Sequence, residues 1–112
     1  MRQESCDIII KGIVQGVGFR PFAYRQALRC NIRGYIANTN EHVIIHAEGN
    51  ADNICFFINN IKRHKPEAAK IFSIEKHISF FIGYQEFSIK ESLDLSNRIT
   101  EISPDISICN EC

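Results

Sequence analysis

The chain reads as an α+β protein, with two helices laid on one face of an antiparallel sheet. Three observations predict this class. Isoleucine-rich, β-branched runs alternate with helix-period segments in the order strand, helix, strand, strand, helix, strand, short strand. Glycine, asparagine and proline punctuate the junctions. Residues 51–63 carry Ile54, Phe57, Ile58 and Ile61 at i, i+3, i+4 and i+7, the stripe of an amphipathic helix. That order is the split βαβ arrangement of a ferredoxin-like α/β sandwich, βαββαβ plus a short fifth strand.

Residues 5–14 form the first predicted strand, built around Ile8, Ile9 and Ile10. Residues 21–30 form the first helix, with Pro21 at its first position, where a missing N–H is harmless. Asn31 then ends it, because asparagine tolerates the left-handed cap. Residues 33–39 and 43–48 are two strands joined by a short turn near Asn40 and Glu41. In the second of them Val43, Ile45 and Ala47 alternate with Ile44, His46 and Glu48. Asn50 is a good N-cap for the second helix. Lys62, Arg63 and Lys65 favour the end of that helix, and Pro66 stops it. Residues 71–78 and 86–91 are the last two strands. Phe56, Phe57, Phe80 and Phe81 are expected in the core. Residues 1–91 are thus one domain. Residues 92–107 keep no period and contain Pro104, so they read as a linker.

The 112 residues suffice for one domain with one core. Thirteen basic side chains balance thirteen acidic ones, which argues against a nucleic-acid module held by a broad positive field. No apolar run approaches the roughly 20 residues that span a bilayer, so no membrane partner is expected. The first residues, Met1 to Ser5, lack the apolar stretch of a secretory signal, and a cytoplasmic location is the default. Five cysteines in such a chain read as free thiols, not a disulfide framework. Cys6, Cys30 and Cys55 are plain packing or surface thiols by this reading, and His42 and His46 are surface residues without ligand roles.

The chemistry is concentrated in residues 12–20, Gly-Ile-Val-Gln-Gly-Val-Gly-Phe-Arg, on a strand-to-helix turn. Glycines let successive N–H groups point inward as an anion nest. The helix start adds unpaired donors and partial positive charge. Arg20 adds a forked cation suited to phosphate or carboxylate. Main-chain donors from Gln15, Gly16, Val17, Gly18 and Phe19, with Arg20, should therefore hold a compact oxyanion. A Walker loop is excluded because no Gly-Lys-Ser/Thr follows, and a dinucleotide fingerprint because the third glycine is missing.

With residues 12–20, the segment Gly34-Tyr35-Ile36-Ala37-Asn38 and the pair Glu48-Gly49, the chain resembles the acylphosphatase family over roughly residues 5–91. Pro21-Phe22 after the arginine, and Pro104-Asp105 ahead of Cys109-Asn110-Glu111-Cys112, make it similar to the start of HypF-type carbamoyltransferases, which mature nickel–iron hydrogenases. The resemblance implies hydrolysis of an acyl phosphate, carbamoyl phosphate above all, to inorganic phosphate and carbamate. Arg20 would clamp the phosphoryl group. Asn38 would aim the attacking water, and the substrate's own phosphate would accept its proton. No cofactor is implied for this step. Cys109 and Cys112 would be half of a tetrahedral zinc site completed only in the full-length protein, whose downstream domains would be the partners. The isolated domain is expected to be a monomer. A binding or docking module that holds carbamoyl phosphate without turning it over is the alternative, and a regulatory ferredoxin-like module is a third reading.

Overall fold

The computed structural model describes residues 3–39, 42–92 and 106–108. Strand β1 (Gln3–Ile13) leads through the glycine turn into α1 (Phe19–Arg29). Strands β2 (Arg33–Asn38) and β3 (Val43–Asn50) follow, then α2 (Ala51–His64), β4 (Lys70–Ile78), β5 (Phe87–Ser92) and β6 (Ile106–Ile108). The sheet order is β5-β2-β3-β1-β4-β6. The two helices and the sheet form the expected ferredoxin-like sandwich.

The local signals act where they were read. Asn31 is the one non-glycine residue with positive φ among those described, at 58°. Asn50 caps α2 by accepting the Asp52 N–H at 2.8 Å. Ile54, Phe57, Ile58 and Ile61 are all buried against the sheet. They meet Ile8 and Ile10 of β1, Ile36 of β2, Val43 and Ile45 of β3, and Phe22, Ala23 and Ala27 of α1 in one core.

Four points differ from the sequence reading. Helix α1 begins at Phe19, two residues early, because Gly18 takes the left-handed conformation and serves as its N-cap. Pro21 is then the third helical residue, still inside the first turn, where N–H groups have no intrahelical partner. The sheet is mixed and not antiparallel throughout, since β5 runs parallel to β2, pairing Gly34 with Phe87 and Ala37 with Lys90. After β4 the chain must reach the free edge of β2 on the far side of the sheet, so it crosses the open face and enters β5 in the parallel sense. Residues 106–108, read as linker, form β6 on the outer edge of β4. A three-residue strand is too short to show a period. Finally, only Phe57 of the four expected core phenylalanines is buried, while Phe56, Phe80 and Phe81 are exposed. Phe56 lies off the α2 stripe, and the other two lie on the crossing segment. The Cys109/Cys112 pair lies outside the described residues.

The contrast between adjacent phenylalanines tests the helix orientation. Phe57→Ala should destabilise by about 3–5 kcal/mol. Phe56→Ala, from a position 63% exposed, should stay within about 0.5 kcal/mol of the unmodified chain. Urea unfolding of both variants checks this.

Candidate functional site

The turn between β1 and α1 has the backbone that an anion cradle needs. Gly16 and Gly18 both take left-handed φ values, 76° and 78°, separated by Val17. A Cβ at either position would meet nothing within 4 Å. Backbone conformation and not crowding therefore requires glycine, and the turn faces open space. The next residue, Phe19, opens α1, so the positive end of that helix points the same way. Phe19 itself packs its ring in the core, 5.9 Å from Phe22, and holds the turn to the domain.

Arg20 and Asn38 arrive at this turn by independent routes. Arg20 lies in the first turn of α1, and its Nη1 donates to the Lys90 carbonyl of β5 at 3.0 Å. Lys90 pairs in register with Ala37, the residue before Asn38. The guanidinium is thereby tied to the end of β2 that carries Asn38. From the other side, the Gln15 side chain donates from Nε2 to the carbonyls of Thr39 and His42, each at 3.0 Å. This bridges the cradle to the β2–β3 turn, which Thr39 closes by donating its N–H to the His42 carbonyl at 2.8 Å. The Gln15 bonds thus tie the glycine turn to the β2–β3 turn, and the Lys90 bond ties Arg20 to the strand beside Asn38.

The Asn38 Oδ1 atom is buried without a hydrogen-bond partner among the described residues. A buried polar atom in that state is unfavourable by roughly 1–3 kcal/mol. It suits a group that acquires its partner from a ligand or a positioned water.

The other face of the sheet holds what sequence reasoning missed. His46 is buried, not at the surface. Its Nδ1 donates to Asp7 Oδ1 at 2.7 Å and its Nε2 to Glu48 Oε2 at 2.8 Å. Both ring nitrogens face carboxylates, an arrangement that favours the doubly protonated ring. Burial alone would pull its pKa down, but the bonds and charges of Asp7 and Glu48 outweigh that and raise it. Burial would likewise push Glu48 up, and here the His46 bond with the N–H groups of Ile82, Tyr84 and Gly83 holds it below the usual carboxylate value. The Tyr35 ring stacks on His46 at 5.6 Å and Tyr84 lies 5.4 Å away. The available signal was an acid, Asp7, immediately before an isoleucine run and two polar residues on one phase of β3. Among the described residues no group of His, Cys, Asp or Glu is arranged to hold a metal ion. Cys6 and Cys30 are in no disulfide, whereas Cys55 is disulfide-bonded, since spacing along a chain does not report proximity in space.

Comparison with known proteins agrees with this architecture. The family model for acylphosphatase matches residues 6–89. The probable carbamoyltransferase HypF of Methanocaldococcus jannaschii is 39% identical over 109 residues, covering 94% of this chain. The acylphosphatase of Thermotoga petrophila is 38% identical over 88 residues, 78% of this chain and 97% of that protein. A crystal structure of full-length HypF in the phosphate- and nucleotide-bound form superposes with TM-score 0.78 at 34% identity, over 81% of this chain. The chain belongs to the acylphosphatase family, as an acylphosphatase-like domain of the HypF type. It spans 14% of the M. jannaschii protein and 12% of the crystallised HypF chain.

The buried cluster makes stability depend on pH. A raised His46 pKa means that the folded state holds this proton more tightly than the unfolded chain does. Its contribution is full below about pH 6.5 and is lost as pH rises through the raised value. The lowered Glu48 pKa acts in the opposite sense, contributing above about pH 4.3 and failing as pH falls. Other titratable or charged groups on this face include Arg33, opposite Glu48 on β2, with Tyr35, Tyr84 and Lys90, and, toward β4, His77 opposite Asp7 and the Lys11–Glu75 pair. Unfolding free energy measured in urea at stepped pH should peak between those limits and decline toward alkaline pH. His46→Gln should flatten the alkaline decline.

Proposed function

We propose that this domain binds acyl phosphates and hydrolyses them to phosphate and a carboxylate, with carbamoyl phosphate as the natural substrate and carbamate as its product. The observation that carries the reading is the buried Oδ1 of Asn38, without a partner among the described residues, at the strand end to which the Arg20 guanidinium is tied. The acylphosphatase relatives, one matched over nearly its whole length, support the reaction class.

In this reading the glycine turn and the start of α1 offer main-chain donors to the phosphoryl oxygens, and Arg20 neutralises their charge. The Asn38 carboxamide accepts a hydrogen bond from one water and holds it in line with phosphorus. Water attacks phosphorus, the bond from phosphorus to the acyl oxygen breaks, and the carboxylate leaves with the bonding pair. The attacking water's proton passes to a phosphate oxygen of the substrate. No side-chain base is needed because an acyl phosphate is a mixed anhydride with a good leaving group. Positioning and charge neutralisation then supply most of the rate. The reaction calls for no cofactor. The domain would act in the cytoplasm as part of a longer polypeptide and pass carbamate to later domains.

Phosphate release from carbamoyl phosphate and benzoyl phosphate, without added metal, is the measurement. The unmodified chain should turn both over, and inorganic phosphate should inhibit competitively. Arg20→Ala and Asn38→Ala should each lower kcat/KM by about 100-fold or more while the circular dichroism spectrum is unchanged. Equal activity in all three proteins would refute the assignment.

A further inference from the structure

Residues 79–86 form a strap across the sheet face opposite the helices. Its middle is gripped by one side chain. Glu48 Oε2 accepts the Ile82 N–H at 2.7 Å, and Oε1 accepts those of Gly83 and Tyr84, each at 3.0 Å. Glu48 is in turn fixed by His46, and His46 by Asp7. All three side chains are almost completely buried.

A buried ionic set is a poor way to fill a sheet face, since apolar residues of similar volume often stabilise a fold as well or better. Apolar residues cannot, however, accept three consecutive main-chain N–H groups. What the set provides is one fixed path for the strap.

That path leads into β5, whose far end lies beside the anion site. Two residues beyond Tyr84, the Glu86 carbonyl accepts the Gly34 N–H at 3.1 Å, and β5 begins. Among the described residues, strand β5 lies at the sheet edge with β2 as its one strand neighbour. Its Lys90 ammonium sits 4.2 Å from the centre of the Tyr35 ring, which stacks on His46. The Lys90 carbonyl holds Arg20. Both the backbone and the side chain of the strand that anchors the arginine therefore lead back to one cluster.

We propose that Glu48, backed by His46 and Asp7, is a positioning residue for Arg20: it fixes the strap, the strap sets β5, and Lys90 of β5 holds the guanidinium at the anion cradle. The proposal rests on the anion-site reading above. Glu48 touches neither cradle nor substrate and acts through the main chain.

Glu48→Gln is the informative substitution. Both carboxylate oxygens accept hydrogen bonds, so an amide must turn an NH2 toward an N–H donor and lose part of the grip. Gly83→Ala is the second variant. Gly83 has φ +95°, so alanine strains the strap and leaves the three charges intact. The 112-residue chain is studied by NMR, following the order of the Arg20 side-chain Nε–H group and titrating inorganic phosphate. In both variants the Arg20 group should become more mobile, and phosphate affinity and KM for benzoyl phosphate should each weaken about tenfold in the folded protein. A loss of global stability alone would leave the affinity of the folded fraction unchanged. An Arg20 group as ordered as in the unmodified chain, in either variant while folded, overturns the proposal. If the unmodified chain binds no phosphate, the anion-site reading fails, and Arg20 mobility still decides whether Glu48 positions it.

Discussion

The Glu48 carboxylate accepts four hydrogen bonds in a space closed to water, from His46 and from three successive main-chain N–H groups. The second face of the sheet is organised around it. A sheet with helices on one side ordinarily turns its other side to solvent. Here Ile9, Tyr35, Ala37 and Ile44 are buried on that side as a second small core, with Tyr84 of the strap packed against them. Without an acceptor for the N–H groups of residues 82–84, the strap would carry unsatisfied donors over an apolar surface. The buried charges and the second core are therefore one arrangement, and the parallel entry of β5 follows from it.

The anion site shows a division of labour. Its donors come from backbone conformation, which Gly16 and Gly18 make accessible. Its side chains come from two consecutive elements, α1 and β2, and the site is tied together by hydrogen bonds that run through main-chain carbonyls at Thr39, His42 and Lys90. Carbonyl anchors are indifferent to the identity of the residue that supplies them. The cationic group and the carboxamide are thus specified by type, while much of their support is specified by fold.

That division explains what the sequence made legible. The helix stripe of α2, the left-handed Asn31, the Asn50 cap and the glycine turn are local, and each is set by neighbours within a few residues. Arg20 and Asn38 stood out because their residue types suit phosphate chemistry beside such a turn. The sense of β5, the strap and the burial of His46 are long-range. His46 looked like one half of a surface alternation because nothing near it in sequence tells of residues 82–84 lying above it. Phe80 and Phe81 misled for the same reason. An apolar pair signals burial only when the element that carries it is known, and theirs lies on the outside of the strap.

Over residues 80–83 the strap is held through its main chain, while Tyr84 packs its ring against Tyr35 and His46. Substitution at Phe80, Phe81 or Ile82, all largely exposed, leaves the N–H groups at 82–84 where they are. This stretch is therefore free to diverge under mutation, apart from Gly83, whose backbone angle is demanding. Substituted forms of this domain can present quite different surfaces here to whatever lies beside them with the clamp underneath unchanged.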